Sequence, residues 1–170
     1  GVKALAGVHK INLASTKVTD KGVKALAGVH TIDLTNLEIT DEGIKALAGV
    51  HTIDLGNTTV SDEGVKALAG VHMICLSRCS KLTDEGVKAL AGVHTISLST
   101  TNTTDEGVIA LAGVHAIDLS SCRQVTNASV EKLVGVKLIN IAGTNTTLDV
   151  YKSLTGLQQK DFSMTIVSVS

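Results

Sequence analysis

The sequence predicts an α/β solenoid: a parallel sheet on a concave side, short helices on the convex side, and right-handed crossovers between them. Three observations point there. A histidine recurs at His9, His30, His51, His72, His94 and His115, at spacings of 21, 21, 21, 22 and 21 residues. Lys137 and Gln158 take its place in two further, degenerate copies. A unit this short cannot close a core alone, so it buries its apolar side only against the next copy. The second observation is composition. Residues are 44% hydrophobic, yet Tyr151 and Phe162 are the only aromatics and proline is absent. Aliphatic side chains of similar size suit thin layers stacked in register. The third is a change of hydrophobic period inside each unit, from two to about 3.6.

The copy from Val50 to Gly70 shows the order of elements. Ile53 and Leu55 alternate around Asp54, as in a short strand with one buried face. Ser61 then offers a helix N-cap, and Asp62 and Glu63 put negative charge in the first turn. Val65, Leu68 and Ala69 recur at helical spacing, with Gly70 as a C-terminal cap and Asp62 and Lys66 spaced for an ion pair. Neighbouring strands sit ~4.8 Å apart, whereas packed helices want ~8–10 Å. The stack therefore bends into an arc of moderate curvature, with Gly64 and Ala67 keeping the helices slim. Residues 1–170 read as a single domain of about eight repeats, with a partial first repeat at 1–8 and a degenerate capping repeat at 157–170.

The run V-H-T-I-D-L-G-N-T-T-V from Val50 fits L-x-x-L-x-L-x-x-N-x-L, and so resembles the leucine-rich repeat consensus. The segment T-D-E-G-V-K-A-L-A-G, Thr83 to Gly92, is similar to the convex part of the cysteine-containing and GALA-type subfamilies. Two departures stand out. The asparagine position holds Thr16, Leu37, Thr58, Cys79, Thr101, Cys122 and Thr144, and the first residue is Val in all copies but the last. The resemblance implies protein recognition through the concave sheet. It also implies an alternative, the substrate-recognition part of a larger ubiquitin-ligase adaptor or effector, although no F-box is present. A third reading is a structural spacer or engineered repeat array without a ligand. The near-identical central copies favour it; the irregular inserts Cys79-Ser80-Lys81-Leu82 and Cys122-Arg123-Gln124-Val125 argue against it.

If the chain binds a protein partner, the variable strand positions should carry the contact. The expected site is Asp33, Asn36, Asp54, Asn57, Met73, Cys75, Arg78, Ser97 and Asp118, all projecting to the concave side. The competing reading is a plain solvated strand surface, since no aromatic anchor of the kind that dominates interfaces stands among them. Cys75 is expected to be accessible there, and Cys79 and Cys122 buried in the turn.

Enzymatic chemistry is not expected. The pairs Asp41-Glu42, Asp62-Glu63, Asp84-Glu85 and Asp105-Glu106 recur with the repeat, which marks helix-start chemistry rather than an acid/base couple. Neither a phosphate loop nor a nucleophile beside its own base is present, and no cofactor is implied. The histidine column is read as structural, its rings stacking and bonding neighbouring backbone. A straight ladder offers a metal two ligands at most, so no metal site is expected. Protonating that column should bring like charges together and depress the imidazole pKa values.

A net charge of −1 gives no footprint for nucleic acid, and no apolar run is long enough to span a membrane. The odd cysteine count favours an intracellular location. Four sequons at Asn57, Asn102, Asn127 and Asn145 leave a secreted or surface location open. At the C-terminal end, Lys160 at a core position and the run Met164 to Val169 read as a cap. The N-terminal end should leave Val2, Leu5, Ile11 and Leu13 partly bare. Further repeats before Gly1, a partner, or self-association through that end would cover them.

Overall fold

The computed structural model describes residues 7–133, 135–147 and 149–150. Each unit is a three-residue strand, a turn, a one-turn helix and a second turn. The strands are β1 (Lys10–Asn12), β2 (Thr31–Asp33), β3 (Thr52–Asp54), β4 (Met73–Cys75), β5 (Thr95–Ser97), β6 (Ala116–Asp118) and β7 (Leu138–Asn140). They form one parallel sheet in chain order. Ile32, Ile53, Ile74, Ile96 and Ile117 meet in register and are wholly buried. Just past the strand ends, Leu34, Leu55, Leu76, Leu98 and Leu119 make a second buried ladder. Each such side chain gains ~1.5–3 kcal/mol by leaving water, so layer-on-layer burial carries the fold.

The helices are α1 (Asp20–Val23), α2 (Asp41–Lys45), α3 (Asp62–Lys66), α4 (Asp84–Lys88), α5 (Asp105–Ile109) and α6 (Asn127–Val130). The expected N-caps form: the Ser61 hydroxyl accepts from the Glu63 backbone N–H at 3.3 Å, and Thr40, Thr83, Thr104 and Thr126 do the same. The helix is shorter than its apolar spacing predicts. α3 ends at Lys66, leaving Leu68 buried and Ala69 exposed in the turn that follows. Gly70, at φ 88°, then reverses the chain toward the next strand, a conformation open to glycine at no steric cost.

Asp62 does not pair with Lys66, which instead bonds Glu63 Oε1 at 2.8 Å. The aspartate is occupied elsewhere. Its Oδ1 accepts the backbone N–H of Thr83 at 2.9 Å, and its Oδ2 accepts the Thr83 hydroxyl at 2.6 Å. The helix-start carboxylate of one repeat thus clasps the N-cap of the next, and Asp20, Asp41, Asp84 and Asp105 repeat the arrangement. This clasp, more than helix slimness, explains the glycine that recurs in α1 to α5. A Cβ on Gly64 would come within 2.5 Å of Asp41 Oδ1 and 2.7 Å of Val60 Cγ2. In α6 the glycine becomes Ser129, whose hydroxyl donates to Asp105 Oδ1 at 2.5 Å. Asn127 keeps the clasp where the sequence looks worn: its Oδ1 accepts Thr147 N–H and its Nδ2 donates to Thr147 Oγ1, both at 2.9 Å.

Both inserts bulge the turn without shifting strand register, with Ser80, Lys81, Arg123 and Gln124 exposed. Leu82 and Val125 stay buried. In the asparagine position the side chains alternate bonding partners. Thr58 and Thr101 donate to carbonyls within their own repeat, Leu55 and Leu98, at 2.7 Å. Cys79 and Cys122 reach back a repeat to those same carbonyls at 3.2 and 2.9 Å.

At the N-terminal end Leu13 is buried, not bare, because β2 and its flanks cover it; Ile11 is half-buried. Val2, Leu5, Gln158, Lys160 and the proposed cap at 157–170 lie outside the described residues.

Candidate functional site: the concave groove

The last residue of each strand begins a turn. Asp33, Asp54 and Asp118 each accept, through Oδ1, the backbone N–H two residues on, at 2.9, 2.8 and 2.9 Å. Asn12 and Asn140 do likewise. Turn chemistry therefore selects the Asp/Asn column. Cys75 and Ser97 break it with shorter side chains, and Gly56 lacks a side chain where its row carries Thr35, Ser77, Ser99 and Ser120. A Cβ there would stand 3.0 Å from Asp54 Oδ1. These small residues open a groove of about 430 Å³ in the middle of the sheet.

The groove floor is one hydrogen-bonded chain. The Cys75 thiol lies against Asp54 and Ser77, with Sγ 3.3 Å from Ser77 Oγ. Ser77 Oγ is 2.8 Å from Ser97 Oγ, and Ser97 donates to Asp118 Oδ2 at 3.3 Å. The sequence expectation of an accessible Cys75 is wrong. It is 8% exposed, because neighbouring strands crowd a side chain this short. Burial, then the Asp54 charge, push its thiol up to about 12, which keeps it protonated and a poor nucleophile. Burial also raises Cys79 and Cys122. Asp54 is raised as well, by desolvation opposed by its Gly56 and Cys75 hydrogen bonds.

Of the nine expected site residues, Asn36, Asp54, Asn57, Cys75, Arg78, Ser97 and Asp118 line this groove. Ser97 and Asp118 are 2% and 8% exposed, so with Cys75 they form floor rather than outer surface. Asp33 and Met73 lie outside it, both half-buried, Met73 among the threonine row that starts the strands. Asn36, Asn57 and Arg78 are exposed on the rim in the left-handed region, at φ 59°, 55° and 61°. The Asn57 amide donates to Asn36 Oδ1 at 2.8 Å. Ser77, which joins Cys75 to Ser97, is the member a residue-by-residue reading missed. Its signal was visible in the sequence as the serine row after each central strand.

The histidine rings do stack, with centroids 4.4 to 4.6 Å apart along the column. Their hydrogen bonds differ from expectation. Nδ1 of His30, His51 and His94 lies 3.1 Å from the hydroxyl of the following threonine, not from neighbouring backbone. Among the described residues no cluster of His, Cys, Asp and Glu has the arrangement to hold a metal ion, and no helix is long and apolar enough to cross a membrane.

A leucine-rich repeat family model matches residues 8–27, 29–48, 50–69 and 76–91. No curated protein matches the chain in sequence. Among solved structures, internalin C2 of Listeria monocytogenes superposes with a TM-score of 0.70 at 18% identity, over 97% of this chain and 80% of that one. A chain of the TLR13–ssRNA13 complex gives 0.67 at 15% identity, over 94% and 26%. A chain of the yeast Rad7–Elc1 complex gives 0.59 at 16%, over 76% and 41%. This chain thus spans less than half the length of the latter two. One of these neighbours is seen with RNA, so the charge argument against nucleic acid gains no support from the fold. The strand register and these superpositions give the chain the leucine-rich repeat fold, and its repeats across residues 8–91 match the leucine-rich repeat family.

Proposed function

We propose that the chain is a non-enzymatic scaffold that binds another protein through the central concave groove. One observation carries this reading: short side chains at Gly56, Cys75 and Ser97 interrupt the columns of larger polar residues, and there the sheet opens a polar groove rimmed by Asn57 and Arg78. A spacer with no ligand has no use for that interruption. Asp54 supports the same reading, because its carboxylate is kept at a place where burial disfavours its charge. The test is capture of partners by the immobilised chain, compared with a variant carrying Asp54→Asn, Asn57→Ala and Arg78→Ala, all three on the groove. Partners held by the parent and lost by the variant support the groove. Equal capture by both places binding elsewhere, and no specific capture by either favours the spacer.

A further inference from the structure

The histidine column is an exposed edge with its own charge pattern. All six imidazoles are exposed. The stretches that carry them, residues 7–10, 27–31, 48–52, 69–73, 91–95 and 112–116, contain none of the chain's 16 carboxylates. Lys10 follows His9, and Lys137 continues the column, its N–H bonded to the His115 carbonyl at 2.8 Å. Both lysines are exposed. Beside the rings run exposed glycines in the left-handed conformation, Gly28, Gly49, Gly70, Gly92 and Gly113, with open space where a side chain would be. The edge is therefore smooth, lacks carboxylates and is permanently positive at its two ends.

Ring spacing decides what protonation does to it. Two unit charges in water interact by about RT at a separation of ~7 Å. Charges at 4.4 to 4.6 Å are closer than that, so a protonated column draws in counter-anions. The charged groups acting on His30 and His94 are the flanking histidines, His9 and His51 for one and His72 and His115 for the other. In His30, His51 and His94 the following threonine takes Nδ1, which leaves Nε2 for a ligand.

We propose that this edge is an acid-dependent binding rail for a linear phosphate polymer, with the protonated imidazoles of His30, His51, His72, His94 and His115 pairing with phosphate oxygens along its length. A bare phosphate chain fits better than single-stranded nucleic acid. Nucleic acid binders offer free aromatic faces to bases, and here each interior ring has both faces covered by its neighbours.

The experiment uses the full chain and long-chain inorganic polyphosphate, titrated by calorimetry at pH 7.5 and 5.5 after far-UV circular dichroism at both. Expected are binding at least ~10-fold tighter at pH 5.5, proton uptake on binding, and weakening by salt. His51→Asn with His72→Asn should weaken binding at pH 5.5, whereas His51→Lys with His72→Lys should preserve it at pH 7.5. If acid alone unfolds the chain, polyphosphate should raise its Tm at pH 5.5, and failure to do so overturns the proposal. Equal affinity at both pH values, indifference to the Asn pair, or a preference for single-stranded RNA or heparin overturns it too.

Discussion

Thr100 sits at φ 58°, in the left-handed region where a β-branched side chain is strained. The geometry belongs to the repeat, since Ser15, Asn36, Asn57, Arg78 and Ser121 share it and Gly143 stands there at φ 72°. What holds it is the backbone: Thr100 N–H donates to the Ser120 carbonyl at 2.8 Å, as Arg78 donates to Ser99 one repeat earlier. Asparagine tolerates this conformation far better than threonine, so Thr100→Asn should raise stability by about 1 kcal/mol, read as a higher Tm. Asp54 gives a second expectation at this scale. Its folded pKa is raised, so the folded chain binds more protons than the unfolded one between the two values, and stability is lost as pH rises through that window. Asp54→Asn keeps an oxygen for the Gly56 N–H and removes the charge. Its Tm should match or exceed the parent's at pH 7, and the gain should vanish below the ordinary carboxylate range. A drop at pH 7 would mean the charge is structural. The left-handed position could be seen in the sequence only in part, because Arg78 and Thr100 are not residues that announce such a turn.

At the scale of the element, the clasp between successive helix starts is the interaction that the sequence displayed and concealed together. The recurring Asp-Glu-Gly was readable as dipole chemistry within one helix. Its larger role spans two repeats, and a bond to a residue 20 or 21 positions on leaves no mark in local spacing. Desolvation works against the Asp105 carboxylate, yet hydrogen bonds from Ser129 and Thr126 outweigh it and hold its pKa below the ordinary value. Asp62→Ala should cost ~0.5–1.5 kcal/mol by removing the acceptor of the exposed Thr83 N–H and hydroxyl. The glycine gives a sharper test, because two small substitutions separate. Gly64→Ala puts a methyl against Asp41 and Val60. Gly64→Ser brings the same Cβ but adds the donor that Ser129 already gives Asp105. Chemical denaturation should find the serine variant more stable than the alanine variant; the reverse order would show that crowding alone governs the position.

For the whole molecule, period and composition made the architecture legible: a 21-residue repeat of aliphatic layers leaves few alternatives to a parallel stack. The groove was less so. Its residues could be placed on one face by alternation, but which of them would be floor and which rim depended on crowding between strands. The histidine column sets the last expectation, for the molecule's response to pH. Partial desolvation in the stack, then the flanking imidazoles, hold His30 and His94 below the ordinary imidazole value, although both side chains are exposed. An unfolded chain has no stack, so its histidines titrate near 6.5. Below that pH the unfolded state takes up protons that the folded state refuses, and stability, complete above it, falls as pH descends. Asp105, lowered in the fold, loses its contribution only in the carboxylate range, and Asp54 acts with the opposite sign. A decline in Tm between pH 7.5 and 5 therefore belongs to the imidazoles. Replacing His30 and His94 with Gln should shrink that decline while leaving the Tm at pH 7.5 nearly unchanged. A parent Tm that stays level across the range would mean that folded and unfolded chains take up protons alike, and would overturn the pH response assigned to the stack.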